Sequence, residues 1–346
     1  MTLLNHFPSV HNTRIKSVEN FLIDFESALE DTLSCIDKPL LSSAREVVLC
    51  EGKRYRPTLC FLSGYPHGNY NTIVSASIVI ELVHIASLVH DDVLDNAQQR
   101  RGNLTIHKKI GINNAILLGD SLFSYALELS TEFQDNMVCK IVSRATRKTC
   151  SGEIAQNSSI GNFGLTIKEY EQIISDKTGY LFGASCKLGG TLSGVDSFDK
   201  ANLESIGISL GICYQIFDDI IDAFGNETNA GKSLGTDFLS FKPTLPILLL
   251  MECCNKDDHL KITKLLSTSS KSNFRVQEVS SFFEQYDILN KCLAHFNNNF
   301  EKTIFLINSL NCAVVKDNLT QFISSFSEKV KFLNTLKQSN FLAVHS

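Results

Sequence analysis

Between His67 and Lys242 the sequence has no proline, and none follows Pro246, so that six prolines serve 346 residues. Proline breaks helix interiors, so long stretches are left open to helix. CxxC pairs and the Cys/His spacings of metal sites are also missing. The eleven cysteines are scattered, and Cys253 and Cys254 are the sole close pair. With no signal peptide in view, they read as reduced thiols of a cytosol-like compartment. There is no excess of positive charge. A net charge of −5 gives no general reason to expect a nucleic-acid partner. The longest greasy run, LPILLLMECC, is too short to span a bilayer, so no transmembrane segment is expected. The N-terminus lacks an apolar signal region.

What remains is helical in pattern. TIVSASIVIELVHIASLVHDD, AILLGDSLFSYALELSTEF and ANLESIGISLGICYQIFDDIIDAF place apolar residues at i, i+3, i+4 and i+7. Short Gly/Asn/Ser segments such as GNETNAGKSLG separate them. Nothing alternates as a set of strands would. The expected fold is all-α: a single domain over residues 19–346, with residues 1–18 as a loose leader.

Two acidic motifs carry chemistry. LVHDDVLDNAQQRRG holds Asp91, Asp92 and Asp95, and YQIFDDIIDAFG repeats the pattern as Asp218, Asp219 and Asp222. On a helix, Asp91 and Asp95 are i,i+4 neighbours. Such carboxylates repel unless neutralised. Mg²⁺ suits them, because it takes a few carboxylate oxygens and keeps positions for phosphate. An antiparallel helix pair could bring the two sets to face each other across a cavity holding several Mg²⁺ ions and one highly charged anion. Basic residues supply the other half: Lys53, Arg54 and Arg56 in EGKRYRP, Arg100 and Arg101 in RRG, Lys177 beside Thr178, and Lys232 and Lys242 after the second motif. Arginine forks and lysine point charges both grip phosphate oxygens.

In these motifs and their order the chain resembles the trans-isoprenyl (polyprenyl) diphosphate synthases. The resemblance runs through EGKRYRP, ELVHIASLVHDDVLDNAQQRRG, GDSLF, GEIAQ, KTGYLF, GICYQIFDDIID and GKSLGTDFLSFKPTLP. One departure is Glu51, where the family usually has glycine. It sets a negative charge beside the isopentenyl diphosphate site.

The resemblance implies an isoprenoid synthase-type helical bundle around a deep central cavity and a homodimer; the cytoplasmic location is expected from the thiols above. It implies a prenyltransferase that joins isopentenyl diphosphate to an allylic prenyl diphosphate. Three Mg²⁺ ions would be held by Asp91, Asp95 and Asp218, with Asp92, Asp219 and Asp222 as further ligands or supports. Arg100, Lys177 and Lys232 would grip diphosphate on the allylic side, with Thr178 and Gln215 donating hydrogen bonds, and Lys242 would also bind substrate. Lys53, Arg56, His84 and Arg101 would hold isopentenyl diphosphate without metal. Arg54 is expected to form salt bridges instead. Asp91, Asp218, Lys177 and Gln215 would act on the leaving group. Two other readings keep the same scaffold: a class I terpene synthase, and a non-catalytic subunit of a hetero-oligomeric synthase.

Product length depends on the cavity below the first motif. Each buried isoprene unit contributes about 4 kcal/mol, at roughly 0.8 kcal/mol per carbon, so growth stops by steric blockage. The blocking positions, Ala86 and Ser87, are small, which leaves the path open for products of C20 or longer, in the C25–C40 range. Val83 and Ile80 would line deeper turns, and Phe123 on a facing helix is the candidate floor.

Overall fold

The computed structural model describes residues 17–50, 52–225, 240–267 and 273–324. Among these the regular structure is helical apart from one two-stranded hairpin, which agrees with the all-α expectation. The helices are α1 (Val18–Thr32), α2 (Lys38–Val48), α3 (Tyr55–Gly64), α4 (Tyr70–Leu94), α5 (Ile106–Ile110), α6 (Ile112–Ser130), α7 (Met137–Ser158), α8 (Ile167–Ile174), α9 (Tyr180–Leu192), α10 (Ser197–Phe224), α11 (Leu245–Cys253), α12 (Lys256–Ser267), α13 (Asn273–Gln285) and α14 (Ile288–Asn308). The hairpin pairs β1 (Gln99–Arg100) with β2 (Asn103–Leu104). Residues 313–324 are also helical. The chain packs as two compact units. Of the described residues, the first contains those within 17–147, with 180–208 and 306–319. The second contains 148–179, those within 209–305, and 320–324.

In the first unit α4 is the core helix. Apolar and small residues surround it, and its buried positions run from Ile73 to Asp92 on every face. It is long and apolar enough to cross a membrane, a run longer than LPILLLMECC, yet 78 % of that stretch is buried inside the protein. Small residues let neighbours approach it and each other. A Cβ on Gly189 of α9 would lie 2.2 Å from the Cys60 carbonyl of α3, so these helices meet backbone to backbone. A Cβ on Gly119, in GDSLF, would lie 2.3 Å from Nε2 of His90. That imidazole crosses α6 to meet the Ile116 carbonyl at 3.1 Å. Phe21, Phe61, Tyr65 and Tyr70 form an aromatic cluster, with Phe21 and Phe61 stacked at 4.4 Å. Asn69 caps α4 by accepting from the Thr72 N–H at 3.1 Å. Asn69→Ala is expected to cost about 1 kcal/mol, the usual worth of a side-chain N-cap, read as a lower urea midpoint with unchanged slope.

Arg54 forms the expected salt bridges. Its guanidinium is buried, 2.7 Å from Glu26 and 2.8 Å from Glu81, and also donates to the Val48 carbonyl.

In the second unit, glycines again decide which segments touch. Residues 175–179 form a π-helical turn after α8. A Cβ on Gly152 would lie 2.2 Å from the Lys177 nitrogen, and one on Gly211 would lie 2.6 Å from the Gly179 Cα. The glycines of GEIAQ and GICYQ therefore seat α7 and α10 against the turn that carries Lys177 and Thr178. A capping box joins Thr166 and Glu169 at the start of α8.

None of the eleven cysteines is in a disulfide. Residues 1–16, Glu51, Lys232 and the tail KQSNFLAVHS lie outside the described residues.

Candidate functional site

Both acidic motifs occupy the C-terminal ends of long helices. Asp91, Asp92 and Asp95 close α4, and Asp218, Asp219 and Asp222 fall within the last turns of α10. Neither last turn carries a basic residue. A helix C-terminus is the negative end of its dipole, where carboxylates are disfavoured. Three at each end is a poor choice for stability and a sound one for holding cations.

The RRG hairpin separates its two arginines. β1 and β2 are joined by Arg101 and Gly102, whose φ values of 51° and 79° are those a tight two-residue hairpin loop requires. Arg100, in the strand, turns to Asp92. Its Nε lies 3.0 and 2.9 Å from the two carboxylate oxygens, and Nη2 lies 2.7 Å from Oδ1. Arg101, in the turn, reaches the basic loop instead: a Cβ on Gly52 would lie 3.2 Å from its Nη1. Adjacent arginines thus serve different neighbours.

A cavity of about 540 Å³ opens here, within the first unit, lined by Arg54, Glu81, His84, Asp92, Arg100 and Arg101 among others. His84 is half-buried. Burial, then the charges of Arg56, Arg100, Arg101 and Arg54, push its pKa well below the usual histidine value, so the imidazole is neutral. Lys53 is exposed, and the Arg56 guanidinium stacks on Phe182 at 4.5 Å. The α4 residues that line the cavity are Glu81, His84, Ile85, Leu88, Val89 and Asp92. Ala86 is fully buried off that face. Ser87 is half-buried, and its hydroxyl donates to the His84 carbonyl at 2.7 Å. Val83 and Ile80 are buried, and the ring of Phe123 packs 5.6 Å from His90, at the acidic end of α4.

In the second unit, Lys177 leaves the π-helical turn toward α7. Its Nζ lies 2.6 Å from Glu153 and donates to the side-chain amide oxygen of Gln156 at 2.7 Å. These two residues of GEIAQ received no role from the sequence, although their i,i+3 spacing puts them on one helix face. Thr178 donates to Gln215 at 3.0 Å, and Gln215 donates to Asp219 at 2.9 Å. Tyr170 donates to the other Asp219 oxygen at 2.7 Å. Burial, with the Asp218 charge adding to it, raises the Asp219 pKa to about 6. Asp222 and Lys242 are buried, and Asp218 is half-buried. Tyr170 was also missed, because a tyrosine on an apolar helix face reads as core.

The acidic motifs offer oxygen donors only, a set that fits Mg²⁺. Among the described residues no group of three or more His, Cys, Asp or Glu is gathered as a ready-made metal site.

Residues 37–283 match the polyprenyl synthetase family model. The chain belongs to the polyprenyl synthetase family. It is 32 % identical over 330 residues to heptaprenyl diphosphate synthase component 2 of Bacillus subtilis (strain 168), covering 93 % of each chain. It is 28 % identical to a short chain isoprenyl diphosphate synthase of Methanocaldococcus jannaschii, over 75 % of this chain and 80 % of that one. The crystal structure of heptaprenyl diphosphate synthase from Staphylococcus aureus superposes with a TM-score of 0.81 at 31 % identity, covering 89 % of this chain and 96 % of that one. Membership carries the reaction class: this polyprenyl synthetase is a prenyltransferase that elongates prenyl diphosphates. Its relatives include short-chain and heptaprenyl enzymes, so likeness alone sets no product length.

Proposed function

We propose that the chain is a Mg²⁺-dependent synthase that adds isopentenyl diphosphate to an allylic prenyl diphosphate, giving an all-trans product of C20 or longer, in the C25–C40 range. The observation that carries this is the meeting of the basic loop, His84 and the RRG hairpin around one cavity at the acidic end of α4. Residues 19–346 act as one catalytic domain in this reading, and the family match includes residues of both units.

Lys53, Arg56, His84 and Arg101 hold the isopentenyl diphosphate. A neutral His84 contributes a hydrogen bond rather than a charge. Asp91, Asp95 and Asp218 are the proposed holders of three Mg²⁺ ions. Bound there, the ions supply Lewis-acid stabilisation of the departing allylic diphosphate. Arg100, Lys177, Lys232 and Lys242 add direct charge to that diphosphate, and Gln215 adds a hydrogen bond. For Arg100 and Lys177 this means exchanging Asp92 and Glu153 for phosphate. A dry apolar wall keeps water from the allylic cation until the isopentenyl double bond attacks it.

The exposed Ile112, Ile116, Leu117 and Leu127 of α6 support a homodimer, and eleven cysteines kept as thiols support a cytoplasmic location. A second reading has one specific observation behind it: the Bacillus subtilis relative is named as a component, so this chain could work with another. Incubation of the purified chain with farnesyl diphosphate, isopentenyl diphosphate and Mg²⁺ separates the readings. Longer diphosphates support the proposal. A released hydrocarbon indicates a terpene synthase, and turnover only after adding a second chain indicates a subunit.

Lys53→Ala is expected to raise the KM for isopentenyl diphosphate about tenfold, the worth of one charge-assisted hydrogen bond, with little change in the allylic KM. A rise confined to the allylic KM would mean that the two sites are exchanged.

A further inference from the structure

Tyr170 is buried in α8, and its hydroxyl donates to Oδ2 of Asp219 at 2.7 Å. The Leu245 N–H of α11 approaches the same oxygen at 3.5 Å. Gln215, one turn earlier on α10, donates to Oδ1 at 2.9 Å. Three donors therefore converge on one buried carboxylate. An ionised carboxylate only accepts, so Gln215 must show Asp219 its NH₂ group. Its carbonyl oxygen then faces Thr178, whose hydroxyl must donate to it, as it does at 3.0 Å. Each orientation in this chain of groups is forced by the one before it.

We propose that Tyr170 is a positioning residue for the second acidic motif, acting through Asp219 to fix the directions of the Gln215 amide and the Thr178 hydroxyl. The fixed directions decide what an allylic diphosphate meets. Gln215 keeps its second N–H for a phosphate oxygen, whereas the Thr178 proton is committed to Gln215. Asp219 offers about four lone-pair positions, and three are used. It is a support rather than an ion holder, and that task falls to Asp218. Without the tyrosine hydroxyl, Asp219 loses the donor that opposes Gln215. On that oxygen the 3.5 Å approach of the Leu245 N–H is a weaker hold, so the carboxylate can turn and the amide flip, which points a carbonyl lone pair where the N–H had been.

This inference rests on the prenyl-transfer reading, and steady-state kinetics on four proteins distinguishes the two. Tyr170→Phe keeps the ring and its packing while removing the hydroxyl. It should raise the allylic KM about tenfold, the worth of one hydrogen bond to a charged group, with the isopentenyl diphosphate KM within about twofold of wild type. Asp219→Asn should do the same and leave the half-saturating Mg²⁺ concentration unchanged. The double variant Tyr170→Phe/Asp219→Asn should be no worse than Asp219→Asn, because the positioning effect runs through that carboxylate. Losses that multiply in the double variant, an equal rise in both KM values, or an unchanged Tyr170→Phe would overturn the positioning role alone. A raised Mg²⁺ requirement in Asp219→Asn would overturn the assignment of Asp219 as a support. A wild-type chain that elongates nothing would remove the reading of the reaction and this inference together.

Discussion

Asp91→Ala and Asp218→Ala should each lower kcat about 10²–10³-fold, the scale on which losing one transition-state charge stabiliser acts. The effect belongs to kcat because the diphosphate gains charge as its bond to the allyl group breaks. Carboxylates that hold cations at this diphosphate would therefore favour the transition state over bound substrate. The same substitutions should not destabilise the fold. Asp91 sits in the last turn of α4, which carries no basic residue, and removing a charge from the negative end of a helix dipole is favourable by some tenths of a kcal/mol; Asp218 lies six residues before the end of α10, where that dipole effect has faded and the change is near neutral. Thermal unfolding should thus show an unchanged or slightly higher Tm beside a large loss of activity. Chelation should reproduce the loss in wild type, and added Mg²⁺ should restore it. Full turnover in excess chelator would remove the metal from the account.

Ala86→Phe should shorten the product. Ala86 is fully buried on the core helix, five residues before Asp91. A ring at that buried position overpacks its surroundings, which typically costs 1–3 kcal/mol. Blocking the path of a growing tail one helical turn, about 5.4 Å, below the ions should stop elongation early. The first condensation should survive, since the cavity-lining arginines and His84 are untouched. The product distribution under excess isopentenyl diphosphate is the readout. An unchanged distribution would place the tail path on another face of α4, such as the one carrying Ile85 and Leu88 that lines the cavity.

The helices were legible because their signal is local. Apolar spacing and missing prolines mark α4, α6 and α10 without reference to anything distant. The charged residues were legible as a set, because paired aspartates and clustered arginines at helix ends need a partner of opposite charge. Their pairings were not. Nothing in RRG says that Arg100 bends back to Asp92 while Arg101 meets Gly52, because that division comes from the two positive φ values of the hairpin loop. The partners of Lys177 were hidden for a similar reason. Glu153 and Gln156 reach it through a contact that Gly152 allows by having no side chain, and the motif reads as a string rather than a surface. Tyr170 carries no charge, and only its depth beside Asp219 reveals its use. Arg54 was assigned to salt bridges, and its burial against Glu26 and Glu81 gives the reason.

The most direct test of elongation past C15 is chromatography of the dephosphorylated products made by the wild-type chain from farnesyl diphosphate, excess isopentenyl diphosphate and Mg²⁺. The account predicts prenyl alcohols of C20 or longer, centred in the C25–C40 range. Farnesol alone, with the primer unextended, would contradict it.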